Sequence, residues 1–243
     1  MWPPESLSLR SPRLLPLVAP LVLLAALAGK PVQASGLVQV PGILGSHAVA
    51  VTSLRDMRFQ TVIPQQYDFS CGSAALATLL THHYERPTTE REAFDVMYNR
   101  GDQEQIRTQG FSMLDMKRYL AEVGLRSDGF RLPLEKLDEL GIPAIALVEI
   151  EGYRHFVVIK GIREEGVLVG DPALGVKAYS PAEFRRIWSN DILFLIRDRL
   201  QTARAHFNDP VSWQALAEPP YGTALARDGL GTFLLALPRP SDW

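Results

Sequence analysis

The spacing of apolar positions changes character along the chain, and each change predicts a different element. Leu14 to Ala28 is an uncharged apolar run, behind a polar stretch that carries Arg10 and Arg13 and ahead of Val32-Gln33-Ala34. A basic flank, a short apolar run and small residues before a possible cut form the plan of a signal peptide. Cleavage after Ala34 would start the mature chain at Ser35. The run is shorter than the roughly 20 residues that span a bilayer, and Pro16 and Pro20 weaken a helical anchor, leaving an uncleaved inner-membrane anchor as the alternative. Gly36 to Arg58 is apolar, rich in Val and Gly and without helical period, which predicts a strand or extended arm.

From Ser73 the composition turns to Ala and Leu, with Ala75, Leu76, Leu79 and Leu80 at core spacings, predicting a helix over Cys71 to Tyr84. Thr89 and Glu92 stand at capping-box spacing ahead of a second helix, Glu90 to Tyr98. Gly101 to Gly110 is polar and turn-rich. Ser112 with Asp115 opens a third helix that Gly124 closes, and Pro133 to Leu140 reads as a short fourth. From Ile142 the pattern is β-branched: Ile142 to Ile150 and His155 to Ile162, joined by Glu151-Gly152-Tyr153-Arg154, predict a hairpin. Val167 to Gly170 and Val176 to Tyr179 continue it, Ser180 with Glu183 caps a short helix through Trp188, and Ile192 to Ile196 is a last strand. Helices in one half and an antiparallel sheet in the other predict an α+β fold. Gln201 to Ala217 suits a helix, Pro219, Pro220, Pro238 and Pro240 break the remainder of the chain, and Leu230 to Leu237 is apolar enough to pack. The expected organisation is a signal peptide over 1–34, an arm over 35–58, the main domain over 59–198 and a C-terminal appendage over 199–243.

Composition excludes several classes. Of 243 residues, 47% are hydrophobic and 21% charged, too apolar for a disordered chain. A formal net charge of −2, with Lys and Arg scattered, supplies no basic stripe for nucleic acid. Removing the signal segment takes away Arg10, Arg13, Lys30 and Glu5 and leaves the mature chain mildly acidic. The single cysteine, Cys71, has no partner for an internal disulfide, and in an exported, thiol-oxidising setting a solitary cysteine suggests chemistry.

A thiol is a useful nucleophile as thiolate, which a helix N-terminus and a neighbouring imidazole favour. Cys71 stands where the Ala-rich helix begins, with Gly72 removing bulk beside it. A buried cysteine serving as a small hydrophobe is the plainer alternative. His155 opens an apolar strand, so its ring is expected at the sheet's edge. Asp171 ends the next strand, and a hairpin brings the two side by side, with Asp171 orienting one ring nitrogen while the other faces sulfur. Asp68, in the loop before Cys71, is the second choice of acid. His82 and His83 end the first helix, where cations suit the dipole, and adjacent residues on a helix do not form a paired metal site. Tyr153 and Trp188 read as core or rim aromatics.

Gln65 followed six positions later by Cys71-Gly72, then His155-Phe156-Val157-Val158 and Gly170-Asp171-Pro172-Ala173, resembles the papain-like bacteriocin-processing (C39) peptidases that cleave leaders after a double glycine. The resemblance covers roughly Phe59 to Arg197. It implies a papain-like fold with Cys71 as nucleophile, His155 as base, Asp171 as orienting acid and Gln65 as oxyanion donor; only the six-residue spacing prefers Gln65 to Gln66. Many relatives carry an acidic residue directly before the cysteine, where this chain has Ser70. Most are parts of ABC exporters, whereas this chain has no Walker motif and looks most like the free-standing periplasmic peptidases of functional-amyloid (Fap) export systems. The implied activity is acyl transfer with no metal or organic cofactor. The implied partner is a peptide or protein substrate of an export system, with association to membrane or secretion machinery possible. Alternatives on the same fold are a leader-binding module that does not cut, and an acyl transferase or amidase. Retention of both Cys71 and His155 favours the enzyme.

Overall fold

The computed structural model describes residues 36–42, 45–164 and 166–216, so the expected signal segment and Leu230 to Leu237 lie outside the described residues. Strands β1 (Gly36–Gly42) and β2 (Gly45–Val51) pair antiparallel, from Gly36 opposite Val51 to Gly42 opposite Gly45. The expected arm is thus a hairpin as far as Val51, and then it turns helical: α1 spans Leu54–Phe59. Ser53 caps α1 by accepting from the Asp56 N–H at 3.0 Å. Ser followed three residues later by an acidic side chain is an N-terminal signature; here no apolar face comes after it, and none of the α1 residues is buried.

The helical half holds α2 (Cys71–His83), α3 (Glu90–Arg100), α4 (Gln103–Gln109) and α5 (Met113–Glu122). A helix apolar on every side belongs in an interior. Accordingly α2 is the central element, with Leu76, Leu79 and Leu80 fully buried among α3, α5 and the sheet. Thr89 caps α3 through the Glu92 N–H, and Ser112 and Asp115 cap α5 reciprocally. The stretch expected to be a polar loop contains α4, because Asp102 accepts from the N–H groups of Glu104 and Gln105 and Ile106 supplies one buried anchor.

The second half is a six-stranded sheet with α6 (Leu134–Leu140), α7 (Pro181–Ile187), α8 (Leu200–Ala205) and α9 (Pro210–Gln214) around it. Its strands are β3 (Ser127–Arg131), β4 (Ala144–Ile150), β5 (Tyr153–Arg163), β6 (Gly166–Asp171), β7 (Gly175–Tyr179) and β8 (Trp188–Ile196). Their order is β3-β8-β4-β5-β6-β7, every neighbouring pair antiparallel. The α+β arrangement, helices packed on a C-terminal antiparallel sheet, is the one expected. Unexpected is β3, a polar strand that, among the described residues, pairs only with β8. Also unexpected is the early start of β8, at Trp188.

The β4–β5 connection is a two-residue turn, not four: Glu151 and Gly152 have φ of 53° and 81°. Positive φ at both central residues matches the twist of a tight hairpin. His155 is therefore the third residue of β5, opposite Val148 and 4% exposed, and not at a free strand end. Leu200 and Ala203 pack on the main core, while Trp213, Ala215 and Leu216 join a smaller cluster with Val62, Leu168 and Val176. Ala203 is fully buried, and Asn208 donates through its backbone N–H to the Lys160 carbonyl and through its side chain to the Ile162 carbonyl, both at 3.0 Å. Gly161 makes that approach possible, since a Cβ there would lie 2.2 Å from the Asn208 Oδ1.

Candidate active site

Cys71 is the first residue of α2, delivered by a tight loop in which Ser70 serves Tyr67. The Tyr67 N–H donates to the Ser70 hydroxyl at 3.1 Å, and that hydroxyl donates back to the Tyr67 carbonyl at 3.0 Å. Ser70 therefore makes no side-chain cap on the helix it precedes. The first backbone bond closing the helix start runs from Ala74 to the Ser70 carbonyl. N–H groups of the first turn, which lack partners inside the helix, are left facing the sulfur. The N–H groups of Phe156, Gly72 and Cys71 do lower the thiol pKa, but Cys71 is 5% exposed and burial outweighs them, with the charge of Asp171 acting in the same sense as burial. Burial thus pushes the thiol above its ordinary value. Gly72 is there for packing: a Cβ would meet the Phe111 Cβ at 2.8 Å.

His155 and Asp171 meet across the β5–β6 ladder. Val158 opposite Gly170 sets a register that brings Asp171 diagonal to His155, within reach of a long side chain. Asp171 Oδ2 and His155 Nε2 are 2.9 Å apart, both residues being buried. The other carboxylate oxygen accepts from the N–H groups of Ala173 at 2.8 Å and Leu174 at 3.2 Å, which fixes the acid in its turn. His155 Nδ1 is buried without a hydrogen-bond partner among the described residues, so there the ring is held by one nitrogen and free at the other. No hydrogen bond joins that nitrogen to the Cys71 sulfur; the two residues line one cavity of about 260 Å³ together with Phe111, Met113 and Phe156. A second cavity of about 520 Å³ continues from Cys71 past Arg107, Asp68 and Tyr153.

Gln65 is half-buried and its Nε2 donates to the Tyr67 carbonyl at 3.1 Å, while its Oε1 is buried without a partner. Its amide is thus occupied within its own loop. Its backbone N–H donates to the Pro172 carbonyl at 3.0 Å. Gln66 is exposed. Asp68 contributes its carbonyl, not its carboxylate, accepting from the Tyr153 hydroxyl at 2.8 Å. Tyr153 is the neighbour that sequence reasoning passed over as a rim aromatic: its ring stacks on His155, centroids 5.3 Å apart at 26°. Its position two residues before His155 on a strand was the available signal.

His82 and His83 are not the cations expected at a helix end. Burial beside Lys160 lowers His82 to about 4 and His83 well below its usual range, so both are neutral near pH 7. His83 Nε2 lies 3.0 Å from the Lys160 Nζ, itself buried and donating to the Thr61 carbonyl.

Comparison with known proteins places these observations in a family context. The Peptidase C39 family matches residues 60–199. Two proteins described as probable functional amyloid protease FapD are similar. The one from Pseudomonas aeruginosa is 49% identical over 60% of this chain and 64% of its own length, so the chain spans just under two thirds of it. The one from Pseudomonas fluorescens is 41% identical over 66% of this chain and 71% of its own length. Among solved structures, the peptidase domain of Streptococcus ComA, a bifunctional ABC transporter of a quorum-sensing pathway, is 20% identical over 56% of this chain and 96% of that domain, with a TM-score of 0.48.

Proposed function

The chain belongs to the Peptidase C39 family, its match covering more than half of the residues, and from that premise we propose that it is a cysteine endopeptidase acting on an exported polypeptide at a glycine-rich, leader-type site. Residues 59–198 carry the activity, with 35–58 and 199–243 flanking it. One observation supports the reading above the others: a buried His155–Asp171 pair leaves Nδ1 unpartnered on the cavity that Cys71 also lines. That is the arrangement a nucleophile, base and orienting acid need.

In this reading His155 Nδ1 takes the Cys71 proton as the sulfur attacks the scissile carbonyl carbon. The developing oxyanion is met by the Cys71 backbone N–H and by a Gln65 amide that turns from the Tyr67 carbonyl toward the cleft. One such donor is worth about 3 kcal/mol in the transition state. The imidazolium then protonates the leaving amine as the C–N bond breaks, and water, deprotonated by His155, releases the acyl group and restores the thiol. Asp171 stays ionised and holds the ring. Glycines at the cut suit a buried Cys71 beside Phe111 and Phe156, because a side chain there would collide with the walls.

The relatives' description as functional amyloid proteases supports a substrate among the proteins of an amyloid or biofilm export system. A periplasmic location rests on the signal-like sequence of residues 1–34, and association with secretion machinery is part of the same reading. The experiment is incubation of the purified protein, and of Cys71→Ala, with each exported or outer-membrane component of such a system. Cleavage by the wild type alone, at one glycine-rich position mapped by mass spectrometry, is expected. Equal cleavage by both proteins refutes the reading, and tight binding without cleavage by either replaces it with a leader-binding module.

A further inference from the structure

We infer that Tyr153 is a positioning residue of this site: it seals the outer face of the His155 imidazole and ties the hairpin bearing His155 to the loop that delivers Cys71. The inference rests on the reading of Cys71 and His155 as reacting partners.

The two-residue turn at Glu151-Gly152 starts β5 at Tyr153, which puts Tyr153 and His155 on the same side of the strand, where residues two apart stand together. Their rings stack at 5.3 Å. Tyr153 is 48% exposed and His155 4%, so the phenol ring stands between the imidazole and water. A hydrogen bond screened from water is electrostatically stronger than one in it, and the bond under this cover is the one from His155 Nε2 to Asp171. The ring also limits the tilt of an imidazole whose opposite nitrogen has no partner to hold it.

The hydroxyl does the second task. It donates to the Asp68 carbonyl, three residues ahead of Cys71, across a sequence separation of 85. Partial burial, followed by the nearby charge of Cys71, raises the phenol above its ordinary range, so it remains a donor across neutral pH. His155 and Cys71 come from opposite halves of the domain, and Tyr153 touches both the base and the backbone of the nucleophile's loop. It acts through these groups and takes no part in bond changes.

The test uses the full chain with Tyr153→Phe, Tyr153→Leu, Tyr153→Ala and His155→Ala, and two measurements. One is the rate of Cys71 alkylation by iodoacetamide at pH 7.5; the other is the solvent-exchange rate of the His155 Nε2 proton, by NMR of protein labelled at histidine nitrogen. Tyr153→Ala is expected to speed proton exchange about tenfold or more by opening the site to water and to slow alkylation about fivefold or more by loosening the geometry. Tyr153→Phe, which keeps the ring and loses the tether, is expected to keep exchange slow and to slow alkylation about twofold. Tyr153→Leu keeps bulk without the stacked ring and gives the same comparison if the alanine variant does not fold. Exchange and alkylation within about twofold of wild type in the alanine and leucine variants overturn the inference. If wild type alkylates no faster than His155→Ala, the pairing of Cys71 with His155 fails by itself, and the exchange rate still decides whether Tyr153 seals the ring.

Discussion

The Gln65 backbone N–H donates to the Pro172 carbonyl at 3.0 Å, so the loop leading to Cys71 is fastened to the turn that carries Asp171. Asp171 thus contacts His155 with one carboxylate oxygen and its own turn with the other, and substitution can separate the proposed orienting role from the structural one. Asp171→Asn keeps an oxygen for the Ala173 and Leu174 N–H groups but removes the charge and offers His155 an amide. It is expected to retain the wild-type melting temperature within a few degrees while cleavage falls by about 100-fold or more. Asp171→Ala is expected to lose activity and, in addition, about 1 kcal/mol of stability for the turn. Activity and thermal melts on the same preparations check both.

Lys160 leads to a prediction about pH. It is fully buried, and burial lowers its pKa from 10.5 to about 7, opposed by the charge of Asp209. Between those values the unfolded chain binds a proton that the folded one does not, so stability rises with pH from about 7 to about 10.5 and the gain is lost as pH falls back. Lys160→Met removes that proton. The difference in unfolding free energy between pH 7.5 and 9.5, measured in urea, should be larger in wild type by about 2 to 3 kcal/mol. Equal differences would show that the ammonium is solvated in the fold. His82 adds a rise of the same sign at lower pH, because its folded pKa of about 4 lies below its ordinary 6.5.

The Cys71 thiol is raised by burial, so thiolate is scarce near neutrality in the free protein. Alkylation by iodoacetamide should keep climbing with pH through 7 and into the alkaline range. A plateau already reached below pH 6 would contradict the burial argument and indicate a preformed thiolate–imidazolium pair.

Gly161→Ala tests whether residues 206–216 belong to the folded unit. A Cβ at 161 meets Asn208 at 2.2 Å from its Oδ1 and 3.0 Å from its Cα, so the Asn208 backbone must move. A loss of about 1 to 3 kcal/mol is expected, with proteolysis near His206 to Asn208 accelerated relative to wild type. Unchanged stability and protease resistance would mean that this segment docks loosely.

Elements with a strong period or a reciprocal cap were legible in sequence: α2 from its Ala and Leu spacing, α5 and α7 from Ser112/Asp115 and Ser180/Glu183. Those missed are held by neighbours. β3 has a polar sequence and exists because β8 offers it a ladder, and α4 is nearly all polar and is held by Asp102 and one buried isoleucine. For the candidate site, the His155–Asp171 approach followed from hairpin length. The burial that raises Cys71 depends on how separate segments pack, and the bond from the Gln65 amide to the Tyr67 carbonyl depends on the path of its own loop, neither of which residue spacing encodes; the ring of Tyr153 over His155, by contrast, follows from their two-residue spacing on β5.

His155 and Asp171 stand only sixteen residues apart and are joined by one hairpin, whereas Cys71 arrives on a helix from the other half of the domain. Local pairing forms early in folding and distant pairing late, because the longer loop must be closed first. On the proposed roles, a chain still folding would hold base and acid without a nucleophile beside them, and cutting power would be gained only when the helical half closes on the sheet.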